Sequence, residues 1–122
     1  MAETDFAGTF VALKAILESL EQNLVKVHDR PDNYYLDTAH IQKNKKPLYF
    51  GSVAIGKRYV SFHLMPVYLY PELLEDLSPG LKRRMQGKSC FNFTAPDPEL
   101  LGELEDLTQR GFTRYRAAGY VV

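Results

Sequence analysis

Apolar residues recur at two different periods along this chain. Near the start they are spaced by three and four positions, which places them on one stripe of a helix with Lys14, Glu18 and Glu21 away from it. The pattern predicts an amphipathic helix that Thr4 or Asp5 caps. The residues of the apolar stripe are Phe6, Phe10, Leu13, Leu17, Leu20 and Leu24.

In the middle of the chain, apolar and polar residues alternate as they do in strands. "LVKVH" and "NYYLDT" flank the turn-forming "DRPDN", which predicts a hairpin. The following "IQKNKKP" is polar, so we expect a loop in which Lys43, Lys45 and Lys46 are solvated.

"LYFGSVAI" and "RYVSFHLM" predict a second hairpin, joined by the two residues Gly56 and Lys57 in a type II′ turn. This turn sets a register in which Ile55 faces Arg58, Val53 faces Val60 and Gly51 faces Phe62. One face then carries Tyr49, Val53, Ile55, Val60, Phe62 and Leu64. The opposite face pairs Phe50 with His63, Ser52 with Ser61, and Ala54 with Tyr59.

The rest of the chain predicts two short helices, a last strand and a final helix. "YPELLEDL" and "SPGLKRRMQG" are the short helices, and the strand "SCFNFT" has Cys90 and Asn92 on one side and Phe91 and Phe93 on the other. Asp97 caps the final helix, and Gly111 on its apolar face indicates close packing or a kink. We therefore expect an α+β fold in a single domain, residues 1–122. Its mostly antiparallel sheet has about five strands, and the N-terminal and C-terminal helices pack on it.

The composition of the chain argues against nucleic acid or a membrane as its partner. Fifteen basic and fifteen acidic residues among 122 give no net charge, so no global field attracts nucleic acid or an anionic membrane. A lone cysteine favours a reducing compartment, and no signal peptide or membrane-spanning run is evident. We expect a cytoplasmic protein with neither nucleic acid nor membrane as a partner, either a monomer or a homodimer.

Four polar residues form the candidate ligand-binding site: Ser61, His63, Cys90 and Asn92. They share a sheet face if the last strand joins the second hairpin. His63 is either a packed residue bonded to Ser61, Ser52 or a tyrosine hydroxyl, which we favour, or a residue that lines a pocket. A thiolate at Cys90 activated by His63 is a third, less favoured interpretation. We predict no catalytic residue and no enzyme activity.

Metal-binding patterns are weak. The histidines His28, His40 and His63 are scattered, and there is no H-x-x-x-H and no cysteine pair. The cations of "LKRRMQGK" suit the end of a helix better than a phosphate site. Oxygen ligands are available on the two long helices. These carboxylates are Glu3, Asp5, Glu18 and Glu21 on the first helix, and Glu99, Glu103, Glu105 and Asp106 on the last.

The segments "PDNYYLDT", "YVSFHLMPVY", "RMQGKSCFNF" and "LTQRGFTRYRAAG" resemble the YdhG-like family, a family of unknown function. The resemblance covers about residues 24 to 119 and implies an α+β domain with an antiparallel sheet and flanking helices. Some members are described as frataxin-like intracellular iron chaperones, which use surface carboxylates. The first hypothesis is therefore a non-enzymatic domain that binds a small molecule or another partner, without a cofactor. The alternative is a chaperone that binds iron, for which no ligand residue is carried over by motif.

Overall fold

The computed structural model of the protein, which describes residues 5–121, contains four α-helices, two short 3-10 helices (Glu21–Asn23 and Pro71–Leu74) and six strands within that range. Asp5 caps α1 by accepting a hydrogen bond from the Gly8 amide at 2.9 Å, while Thr4, the other predicted cap, lies outside the described residues. The elements are α1 (Phe6–Glu18), β1 (Val25–Arg30), β2 (Asn33–Ile41), β3 (Pro47–Ile55), β4 (Val60–Leu64), α2 (Met65–Leu69), α3 (Pro79–Lys82), β5 (Met85–Gln86), β6 (Cys90–Phe93) and α4 (Pro98–Ala117).

All six strands form one antiparallel sheet in the order β1-β2-β3-β4-β6-β5. The α+β class and the antiparallel sheet are confirmed, and the sheet has one more strand than predicted. The extra strand is β5, which the sequence assigned to the end of a short helix. That helix ends at Lys82, and Gly87, with φ of 76°, turns the chain from β5 toward β6.

The second hairpin is predicted in the wrong register. Ser52 faces His63 and Ile55 faces Val60, whereas the sequence paired Phe50 with His63 and Ile55 with Arg58. The connection between β3 and β4 has four residues rather than two. The Gly56 amide donates to the Tyr59 carbonyl at 2.8 Å, and β4 begins at the next residue, Val60. The error is a shift of two residues, which is one full strand period, so it does not by itself move a side chain to the other face of the sheet.

A β-bulge at Phe50 overturns the predicted faces of two aromatic residues. Leu36 pairs with Gly51 and Asp37 pairs with Tyr49, which leaves Phe50 as the extra residue. The Phe50 ring therefore packs on α4, with its centroid 5.6 Å from that of Tyr115. Tyr49, predicted on the core face, lies on the other face, because the bulge interrupts the alternation of side chains.

The helices lie on one face of the sheet. Leu17 of α1 packs over Gly51, where an added Cβ would come within 3.3 Å of the leucine Cδ2. Gly111 of α4 packs closely against Pro66 of α2, which confirms the close-packing alternative for that glycine. Pro66 lies in the first turn of α2, where its missing amide proton costs no helical hydrogen bond. Since α1, α2 and α3 all contact α4, the other face of the sheet, which we call the open face, has no helix from the described residues on it.

Candidate functional site

Six strands align one row of side chains across the open face, here called the polar row. Its members are His28, Tyr35, Ser52, His63, Cys90 and Gln86, each paired with the next across neighbouring strands. In the adjacent row Ser61 faces Asn92. The register therefore brings the four predicted site residues, Ser61, His63, Cys90 and Asn92, to one place on the sheet.

Asn92 is the centre of a hydrogen-bonded group within this site. Its side-chain Oδ1 accepts from the Ser61 hydroxyl at 2.9 Å and from the Cys90 thiol at 3.4 Å. Its Nδ2 donates to Oε1 of Gln86 at 2.7 Å. Sequence reasoning missed Gln86 because it placed that residue in a helix. The segment "MQGKSCF" carried the signal that was overlooked, a glycine between two short extended runs.

Among the described residues, the partners that the packed interpretation named for His63 are bonded elsewhere. Ser61 donates to Asn92, and the Ser52 hydroxyl is bonded to that of Tyr49. Within residues 5–121, no side chain or backbone group forms a hydrogen bond with the half-buried His63 imidazole. In the part of the chain that the structure describes, the Tyr34 hydroxyl is the one fully buried side-chain polar atom without a partner, so the ring nitrogens of His63 reach solvent. The packed interpretation of His63 therefore stays a prediction.

Burial lowers the pKa of His63, so its imidazole is neutral near pH 7. A neutral imidazole offers one donor and one acceptor. Because the described residues satisfy neither, both ring nitrogens of His63 are available to a molecule that approaches the open face.

The pKa of the Cys90 thiol is shifted in the direction opposite to that of a reactive cysteine. Burial raises the pKa of the Cys90 thiol, and the nearby Ser61 hydroxyl only partly offsets this. A reactive cysteine needs a lowered pKa, which a nearby cation or helix N-terminus provides. Although Cys90 faces His63 across β4 and β6, its thiol donates to Asn92 instead. The geometry makes the thiol a neutral hydrogen-bonding group of the site.

An aromatic group borders the site on the β1–β3 side. The rings of Tyr35 and Tyr49 stack with centroids 4.8 Å apart, and His28 meets Tyr35 edge-on at 5.7 Å. Burial raises the pKa of both tyrosines, so their hydroxyls stay protonated. The sequence did not place Tyr49 here, because the bulge that brings it to the open face leaves no mark in the alternation.

The predicted carboxylates that lie within the described residues do not converge on one site. Among residues 5–121, no three histidine, cysteine, aspartate or glutamate side chains are close enough together to hold a metal ion. Glu21 is paired with Lys26 at 2.6 Å and Asp106 with Arg110 at 3.0 Å, while Glu103 accepts hydrogen bonds from Ser78. Glu3 lies outside the described residues.

Comparison of the chain with protein-family models, with curated proteins and with solved structures found no match. Membership of the YdhG-like family accordingly stays a prediction that rests on the quoted segments. In the described part of the chain, no helix has both the length and the apolar character needed to cross a lipid bilayer.

Proposed function

We propose that this protein is a non-enzymatic binding domain whose open sheet face receives a small ligand. The observation that carries the proposal is the half-buried His63 imidazole, which lies in the polar row without a hydrogen-bonding partner from residues 5–121. The ring nitrogens are not among the fully buried unpaired atoms of the described residues, so they face the solvent side of the sheet. A ligand on the open face can therefore displace solvent from the imidazole and use a donor and an acceptor that the described residues leave free.

The chemistry of the neighbouring groups defines the class of ligand. Ser61, Cys90, Asn92 and Gln86 are uncharged, and the low pKa of His63 keeps it neutral. An ion placed here would lose hydration without gaining an opposite charge. The stacked rings of Tyr35 and Tyr49 offer an adjacent flat apolar surface. The site therefore suits a neutral planar molecule that carries both donors and acceptors, such as a heteroaromatic amide.

Nuclear magnetic resonance with a library of neutral heteroaromatic amides tests this proposal. Bound compounds are expected to shift the backbone amides of Ser61, His63, Cys90 and Asn92. His63→Ala should weaken binding severalfold, whereas Glu105→Ala, an exposed change on α4, should leave it unaltered. Shifts confined to the helices, or equal binding by the two variants, would refute the open face as the site.

The iron-chaperone alternative has no specific observation in its favour within residues 5–121, since the carboxylates named for it are dispersed or paired. Anaerobic calorimetry with ferrous iron provides its direct test. Heat of binding that is lost on changing Glu18 and Glu21 would establish it in place of the proposed ligand site.

A further inference from the structure

A cavity of about 520 Å³ lies away from the polar row, between the β2–β3 connection, α2 and the segment that follows α4. Leu48 and Met65 form its apolar floor, and Leu69 also lines it. Leu48 belongs to the buried core, while Leu69 is 39% exposed at the rim. The volume is within the range of about 300–1,000 Å³ that is usual for small-molecule pockets.

Two aromatic rings form one wall of this cavity. The rings of His40 and Tyr120 lie with centroids 4.7 Å apart at an angle of 46°. Tyr120 is held by an edge-on contact with the buried Tyr115 at 5.4 Å and by a bond from its amide to the Tyr115 carbonyl at 2.9 Å. The wall is thus attached to the core and offers ring faces to a planar group.

The third side is the predicted polar loop, which is a structured turn. The Gln42 amide donates to the Lys46 carbonyl, and the Lys45 amide donates to the Gln42 carbonyl, both at 2.9 Å. Lys45 has φ of 69°, and the Asn44 Oδ1 accepts from the Lys46 amide at 2.9 Å. The turn therefore fixes the backbone of Lys43 at the rim, where sequence reasoning expected only a solvated lysine.

The charged side chain that lines this cavity is positive. Lys43 is a cation, and no acidic side chain lines the cavity in the described part of the chain. Because Oδ1 of Asn44 is already bonded, its Nδ2 group remains as a donor beside Lys43. The cation and the amide donor suit a carboxylate. The apolar floor and the aromatic wall suit an aromatic ring attached to it.

We propose that this cavity is a second binding site, independent of the open face, for a small aromatic monocarboxylate. The carboxylate lies at the rim against Lys43 and Asn44, and the ring packs on Tyr120 above Leu48 and Met65.

Titration of the full chain with phenylacetate and with its neutral isostere phenylacetamide tests this site. Nuclear magnetic resonance is expected to show shifts in the 42–46 turn and at Tyr120, with the acid bound more tightly than the amide. Lys43→Gln should weaken phenylacetate about three- to fivefold, the range for a partly exposed ion pair, and leave phenylacetamide unchanged. Lys57→Gln removes the same charge from the exposed β3–β4 connection and should change neither affinity.

A second variant tests the position of the carboxylate. Leu69→Glu adds a negative charge at the rim, so phenylacetate binding should fall further than phenylacetamide binding. The proposal is overturned by equal binding of acid and amide, by equal effects of Lys43→Gln and Lys57→Gln, or by no shifts in the turn at 10 mM probe, a concentration of the order of a weak fragment's Kd. Shifts on the open face alone would overturn this site and leave the proposed function intact.

Discussion

The hydroxyl of Tyr115 donates a hydrogen bond to the backbone carbonyl of Tyr49 at 2.8 Å. This bond joins α4 to the β-bulge of β3, since Tyr49 is the residue immediately before the extra residue Phe50. Tyr115 is completely buried, and its ring also meets Phe50 edge-on. One helical side chain therefore secures the irregularity that brings Tyr49 to the open face.

Replacing Tyr115 with phenylalanine should lower the free energy of unfolding by about 1–2 kcal/mol. The ring remains, but the Tyr49 carbonyl loses its donor in a partly buried place. Urea denaturation measures the change, and Tyr68→Phe, on a tyrosine that is 50% exposed, is the matched control with almost no effect. Equal stability of the two variants would show that the bond contributes nothing.

Two glycines of α4 should respond oppositely to alanine. At Gly111 an added Cβ would lie 2.9 Å from Cβ of Pro66, so Gly111→Ala should destabilise by about 1–3 kcal/mol. At Gly102 nothing lies within 4 Å, so Gly102→Ala should stabilise by about 0.5–1 kcal/mol through helix propensity alone. Thermal unfolding of both variants checks the pair. Stabilisation by Gly111→Ala would mean that α2 and α4 pack less closely.

Glu103 should contribute to stability through Ser78. Its carboxylate accepts from the Ser78 amide at 2.7 Å and from the Ser78 hydroxyl at 2.6 Å, which joins α4 to the start of α3. Glu103→Ala should cost about 1–2 kcal/mol, since bonds to a charged acceptor are the stronger kind. Denaturation of Glu105→Ala, on the same helix but exposed, provides the comparison and should differ from the parent by less than about 0.5 kcal/mol. A Glu103 variant as stable as the Glu105 variant would contradict this role.

The site residues could be predicted from sequence because of the strand period. Alternation in "RYVSFHLM" and "SCFNFT" separates Ser61 and His63, and likewise Cys90 and Asn92, from the apolar side chains between them. A register error of two residues preserves that separation, so the wrong turn did not move these residues to the other face. Predicting that these four residues share a face required only the local alternation of each strand and the assumption that the last strand joins the sheet.

What the sequence could not provide depends on tertiary contacts. The bulge at Phe50 exists because α4 supplies Phe112 and Tyr115 as packing partners, more than 60 residues away along the chain. Whether a residue of the described range 5–121 bonds to His63 depends on where Ser61 and Ser52 direct their own hydroxyls. The cavity at Lys43 joins three separate segments, and no local period relates them. Such features arise only once distant elements are packed together.

The environment of His63 should make folding stability depend on pH. Burial lowers its pKa in the folded protein, so the folded state disfavours protonation relative to the unfolded state, where the pKa is 6.5. Well above pH 6.5 the histidine is neutral in both states and has no effect on the pH dependence of stability. As the pH falls below 6.5 the unfolded state binds the proton first, and stability declines until the lowered folded pKa is passed.

His63→Gln removes this titration and should lose less stability than the parent protein between pH 7 and pH 5. The half-buried carboxyl of Asp37, whose pKa burial raises, and the carboxyls of Asp29 and Glu72, whose pKa values hydrogen-bonded cations lower, titrate in both proteins. Their contributions therefore cancel in the comparison. Urea denaturation at pH 7, 6 and 5 gives the two curves. Parallel curves would mean that His63 is as well solvated in the folded chain as in the unfolded one, and the open face would then lack the partly buried imidazole on which the proposed ligand site depends.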